Sequence, residues 1–222
     1  MVLFSKNIKK VYYVLQDLLF PPSCVVCGRK IKQAICCRCL DDIRHHKSKS
    51  YSNLSFLRSD NRFIRNIFYL GFYEGTLKKN ILSLKIRKTN TLARDFAIAI
   101  EKSFMLKQKG YDCIVPVPGY RSDSFHTARP AFYLSQITGI PIYNGLVKFR
   151  NTGRQKDKTR QQRMSLARES YQIMYRIKKN SKILIFDDII TTGATLSVVS
   201  DKFRGCDIDI ICAGLTRYSE VM

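Results

Sequence analysis

The chain is 222 residues long, 45% hydrophobic and 25% charged, a composition that supports a folded core and excludes a disordered or fibrous chain. Its longest apolar runs are five to eight residues, far short of the roughly 20 needed to cross a bilayer, so no transmembrane span is expected. Thirty-nine Lys and Arg against seventeen Asp and Glu leave a net charge of +22, concentrated in segments 44–94 and 148–182, each with twelve basic and two acidic residues. Such density points to a polyphosphate partner, nucleic acid being the commonest, although lysines that merely solvate helices would give the same count.

In chain order, Lys6, Lys9 and Lys10 precede the apolar stretch Val11 to Phe20, an arrangement loosely like a secretion signal. Gln16 and Asp17 interrupt it and no small-residue cleavage site follows, so it reads as an amphipathic helix retained in a cytoplasmic protein. Five of the eight cysteines then fall within sixteen residues: Cys24, Cys27, Cys36, Cys37 and Cys39. Two Cys-x-x-Cys knuckles at this spacing can converge tetrahedrally on Zn²⁺, and in a cytoplasmic chain they favour metal over disulfide. The expected ligands are Cys24, Cys27, Cys36 and Cys39, with Cys37 left open as a replacement for Cys36 or Cys39. About twenty residues bury too little to fold alone, so the metal's role is structural. Residues 1–45 are therefore assigned to a helix and zinc ribbon, and 46–222 to an α/β domain. Cys113, Cys206 and Cys212 sit where packing explains them, and His45, His46 and His126 do not share the cysteine spacing.

Beyond residue 60 the pattern alternates. Strands are expected at 67–73, 111–117, near 140–147, 182–187 and 208–213, and helices at 76–85, 92–107, from about Ala131, and at about 194–204. Continuous apolar strands between amphipathic helices predict a parallel sheet covered on both faces.

The most informative stretch is Lys182 to Leu196, in which a buried strand ends in Asp187-Asp188 and is followed by Ile189-Ile190-Thr191-Thr192-Gly193-Ala194-Thr195. Ligands of open α/β sheets bind at the carboxyl ends of strands. The amides of Thr192, Gly193, Ala194 and Thr195 at a helix start suit a phosphate, and the two acids suit ribose hydroxyls. Helix capping would account for one acid and one threonine, but not for the whole run.

That stretch resembles the phosphoribosyl pyrophosphate (PRPP) motif of type I phosphoribosyltransferases. Together with the cysteine knuckles, Gly71 to Gly75, Leu84-Lys85-Ile86, Ile114 to Pro118, and Thr152, Gln155 and Arg163, the order of elements resembles the ComF (ComFC) family of competence proteins over nearly the whole chain. The resemblance implies a phosphoribosyltransferase-like domain behind a four-cysteine zinc ribbon, PRPP bound with Mg²⁺, and a role in the uptake of transforming DNA beside other uptake proteins. It implies a PRPP site of Asp187, Asp188, Thr191, Thr192, Gly193, Ala194 and Thr195, a pyrophosphate loop with Pro118, Gly119 and Arg121, and Arg163 from a mobile basic segment. The chain departs from the family at Ser124-Phe125-His126, Lys158 and Leu166. Purine-salvage relatives place an acid where Thr191 stands, which argues against purine salvage.

The basic residues expected to meet single-stranded DNA are Lys78, Lys79, Lys85, Arg87 and Lys88, then Lys148, Arg150, Arg154, Lys156, Lys158 and Arg160. They would contact phosphates, which carry no base identity. Two functions follow: a competence protein that binds PRPP and single-stranded DNA, or a phosphoribosyltransferase of unknown acceptor whose ribbon only stabilises the fold.

Overall fold

The two most apolar segments after residue 180 lie side by side at the middle of a parallel sheet. The computed structural model describes residues 23–46, 63–119, 124–149 and 169–217; the expected N-terminal helix lies outside them. In chain order the elements are α1 (Cys37–His46), β1 (Ile64–Phe72), α2 (Gly75–Arg87), α3 (Asn90–Phe104), a 3-10 turn (Leu106–Lys109), β2 (Cys113–Pro116), α4 (Phe125–Thr138), β3 (Leu146–Lys148), β4 (Tyr171–Ile173), β5 (Lys182–Ile190), α5 (Ala194–Lys202) and β6 (Asp207–Leu215). The main sheet has the order β1-β6-β5-β2 with every neighbouring pair parallel. β3 and β4 form a separate antiparallel hairpin.

Parallel strands need both faces covered, and each face here has its own core. On one face, α2, α3 and α4 bury Leu77, Ile81, Phe96, Ile100, Ala131 and Leu134 against Phe68, Leu184, Phe186 and Ile211. On the other, Leu196, Val198 and Val199 of α5, with Leu146 and Tyr171 of the hairpin, meet Ile183, Ile185, Ile208 and Ile210. Burying one such aliphatic side chain contributes about 1.5–3 kcal/mol, so β5 and β6, apolar on both faces, occupy the centre. The one acid deep in β6, Asp209, accepts hydrogen bonds from Asn66 Nδ2 at 2.8 Å and the Tyr111 hydroxyl at 2.6 Å, which compensates its burial.

Two expected elements differ. The helix expected from Ala131 begins six residues earlier, at Phe125, and contains Pro130. Proline costs a helix one backbone bond, but Thr127 ties the first turn down by donating to the carbonyls of Val117 (2.8 Å) and Ser124 (3.1 Å). In place of one strand over 140–147, Ile142 makes a single parallel bridge to Ile114 and the chain then leaves the sheet for the β3–β4 hairpin.

The cysteine segment packs directly on the sheet domain. Cys24, Val25, Ile35, Cys36 and Cys39 belong to the same buried cluster as Leu70, Leu77 and Ile81. Asn80 of α2 donates to the Val25 carbonyl (2.9 Å), and Arg44 of α1 to the Lys102 carbonyl at the end of α3 (2.9 Å). Gly28 has φ +78 and sits so close to α2 that a Cβ there would lie 3.1 Å from Thr76 Cγ2; both facts require glycine.

Candidate functional site

The knuckle backbone gathers the thiols. The Gly28 amide donates to the Cys24 carbonyl and the Cys24 amide to the Arg29 carbonyl, each at 2.9 Å, closing the first turn. The sulfurs of Cys24, Cys27, Cys36 and Cys39 lie within 4.8 Å of one another, close enough to hold one metal ion. Cys37, the alternative left open by the sequence, is exposed at the first residue of α1 and is not part of this set. Burial would push the Cys24 thiol up, but hydrogen bonds to the Cys27, Cys36 and Val26 backbone bring it down to about 7. Cys39 moves the other way, raised by burial and by the neighbouring thiols. Four sulfurs at this separation suit a soft tetrahedral cation.

The second site lies where β5 ends. Successive strand residues face opposite sides of a sheet, so Asp187 follows Ile183 and Ile185 toward α5 and the hairpin, whereas Asp188 follows Leu184 and Phe186 toward α2 and α4. Each acid meets a lysine there. Lys85 Nζ of α2 stands 2.7 Å from Asp188 Oδ2, and His126 Nε2 of α4 is 4.0 Å from the same oxygen. On the other face, Lys148 of β3 lies within electrostatic range of Asp187 and places its Nζ 5.1 Å from the centre of the Tyr171 ring. Burial, and then the charge of Asp187, raise the Tyr171 hydroxyl, with the Thr195 side chain acting in the opposite sense.

Burial, and then the charge of Asp188, push the Asp187 carboxyl well above the usual carboxylate range, with Lys85 acting in the opposite sense. Burial lowers Lys148 and Asp187 opposes that shift. Desolvation thus works against separated charges on both groups. Beyond the acids, Thr191 and Thr192 are exposed, Gly193 takes the left-handed conformation (φ 70), and α5 begins at Ala194 with Thr195 exposed beside it. β5 runs on to Ile190, two residues past the acids and three beyond the strand end expected at 187, and the exposed Thr191 and Thr192 follow it at the carboxyl edge of the sheet.

Of the remaining expected site residues, Pro118 and Gly119 follow β2 at that edge, where the Gly119 amide donates to Ser124 Oγ (2.7 Å). Lys78, Lys79, Arg87 and Lys88 are exposed on α2 or at its end, Lys78 with its Nζ 5.5 Å from the Tyr73 ring centre. Arg121, Arg150, Arg154, Lys156, Lys158, Arg160 and Arg163 lie outside the described residues. Of the residues expected on a DNA surface, Lys85 pairs with Asp188 while its side chain is 37% exposed, and Lys148 lies within electrostatic range of Asp187. A helical signal existed for Lys85, four residues after the buried Ile81 and eight after the buried Leu77. Lys148 likewise stands two residues from the buried Leu146, on the same face of β3. Tyr171 and the neighbour relation of His126 to Asp188 had no local signal, because both arise from contacts made across the fold.

No protein-family model matches the chain, and a comparison with curated proteins finds no match. Among the described residues, no helix is long and apolar enough to cross a membrane.

Proposed function

We propose that this chain is a ComF-type competence protein with a type I phosphoribosyltransferase-like domain, which binds PRPP or a related phosphosugar, binds single-stranded DNA, and supports internalisation of transforming DNA. The observation that carries this reading is the carboxyl end of β5: two adjacent carboxylates, Asp188 paired with Lys85 and Asp187 within electrostatic range of Lys148, then, after Ile189-Ile190, the exposed Thr191-Thr192 that lead through Gly193 into α5. Ribose hydroxyls fit the carboxylates and a phosphate fits the turn amides. Asp187 and Asp188 are also the carboxylates available to Mg²⁺, which when bound would neutralise diphosphate charge. Zn²⁺ in the four-cysteine cluster would be structural, since four thiolates leave it no open position.

The second reading, a phosphoribosyltransferase of unknown acceptor, is favoured by one observation. Lys85 is paired with Asp188, so its charge is already partly neutralised on the surface expected to meet DNA. A labelled oligonucleotide titrated at two salt concentrations, with and without PRPP and Mg²⁺, separates the two readings. The competence reading expects an affinity that falls steeply with salt, each neutralised phosphate lowering the log–log slope by roughly 0.7. It also expects a change in DNA affinity when PRPP is present, and a reciprocal change in PRPP affinity. PRPP binding without any DNA binding at low salt would leave the transferase.

A further inference from the structure

Asp187 and Asp188 are adjacent in sequence and opposite in space, and the Asp188 side is the better defined. Its side chain is 9% exposed and that of Lys85 is 37% exposed. Lys85 Nζ lies 2.7 Å from Asp188 Oδ2, yet among the described residues no donor is aligned with that oxygen as a hydrogen bond. The contact is therefore a close charge pair approached off-axis. A buried carboxylate oxygen gains from an aligned donor, so a ligand hydroxyl directed at Oδ2 would supply the bond that the lysine leaves unmade, and the lysine's charge would be offset by an anion of the same ligand.

Once displaced, Lys85 would stand on the face covered by α2 and α4. His126, the second residue of α4, approaches the same oxygen there, and Pro118-Gly119 leaves β2 nearby, with Gly119 tied to Ser124 at the start of α4. The 191–195 turn leads instead into α5, which packs on the opposite face. Two cationic or donor-rich places thus flank the acids, one on each side of the sheet edge.

We propose that Lys85 is an anion-binding residue of this site, stored on Asp188 until a sugar hydroxyl takes that carboxylate, after which it pairs with a phosphate or diphosphate on the α2–α4 side, away from the 191–195 turn. The ligand class is a sugar carrying anionic groups at two separated positions. This inference rests on the phosphosugar reading and assigns within it a residue that charge alone would have placed on a DNA surface.

Titration calorimetry of PRPP, ribose 5-phosphate and inorganic pyrophosphate against wild type, Lys85→Gln, Lys85→Arg and Asp188→Asn tests it. Lys85→Gln should weaken PRPP about tenfold or more, while ribose 5-phosphate, which needs Asp188 but not the lysine, binds as well or more tightly. Lys85→Arg should keep PRPP affinity within a few-fold. Asp188→Asn, which releases Lys85, should tighten inorganic pyrophosphate, a change that a purely structural ion pair would not produce. Equal weakening of both sugars in Lys85→Gln, or an unchanged PRPP affinity, would overturn the proposal and leave the phosphosugar reading standing. Binding of neither sugar by the wild type would overturn both. Should Lys85→Gln fail to fold in a thermal melt, the pyrophosphate affinity of Asp188→Asn decides: tighter supports the proposal, unchanged or weaker overturns it.

Discussion

At Asp187 the proposed phosphosugar binding and the stability of the fold make opposite demands. Its carboxyl is pushed well above the usual range by burial and by the charge of Asp188. An acid with a higher pKa in the folded state holds more protons folded than unfolded at any pH between the two values. Stability is therefore greatest below the unfolded value, near 3.9, and is lost as the pH rises through the folded one. Asp187→Asn removes that loss, because the amide carries no charge and can still accept the Asp188 amide hydrogen bond, 2.9 Å in the wild type. The variant should melt above the wild type at about pH 8, by roughly 2–4 °C for about 1 kcal/mol, and the gap should close toward pH 4. A difference in melting temperature that is constant across that range would show that the Asp187 charge is not its source. The same substitution should weaken phosphosugar binding, so a protein that is more stable and less competent to bind is the expected phenotype.

At the scale of elements, the four strands of the main sheet and most helices were legible because burial writes itself into residue order. The runs Ile183 to Phe186 and Ile210 to Ala213 are apolar without alternation, and they became parts of the two central strands. The four-cysteine set was legible from spacing, since a knuckle turn is local. The start of α4 was not, because Pro130 resembles a boundary while the bonds that anchor the first turn come from Thr127 to the far end of β2. Nor was the hairpin that delivers Lys148, whose geometry depends on an aromatic cluster assembled from three distant segments. Tyr143 stacks edge-on to Tyr175 and to Phe203, with ring centres 4.9 and 5.6 Å away, and its hydroxyl donates to the Tyr175 carbonyl. Gly145 lies against this cluster: a Cβ there would be 2.6 Å from Tyr143 Cζ and 2.9 Å from Tyr175 Cζ. The Tyr143 ring is buried and tied by its hydroxyl to the Tyr175 carbonyl, so Gly145→Ala should cost about 1–3 kcal/mol, seen as a lower urea midpoint at unchanged slope. An unaltered midpoint would mean that the hairpin moves aside, and that Lys148 is not fixed beside Asp187.

Across the whole molecule, the four-cysteine cluster and the acidic edge of β5 are joined by one helix. α2 receives the cysteine segment at its start, through Thr76 against Gly28 and Asn80 against the Val25 carbonyl, and presents Lys85 to Asp188 near its end. Between these points Leu77, Ile81 and Leu84 are buried in the core that also contains Cys24, Val25, Ile35 and Cys36. A module that hung from the domain by a linker would unfold by itself when its metal left, whereas one whose apolar residues are part of the main core withdraws support from that core. Cys24→Ser with Cys27→Ser should therefore lose the metal and lower the melting temperature of the entire domain in one cooperative transition. Structural zinc contributes on the order of 10 kcal/mol to free-standing fingers, so even a minor fraction transmitted through α2 and its buried contacts would shift the midpoint by several degrees. Scanning calorimetry with elemental analysis of both proteins measures the two quantities together. Loss of metal with an unmoved main transition would show an independent ribbon, and equal metal content in both proteins would remove Cys24 and Cys27 from the ligand set. If the domain does soften as a unit, PRPP affinity in the double variant should fall as well, because the helix that carries Lys85 is the first element to lose its support.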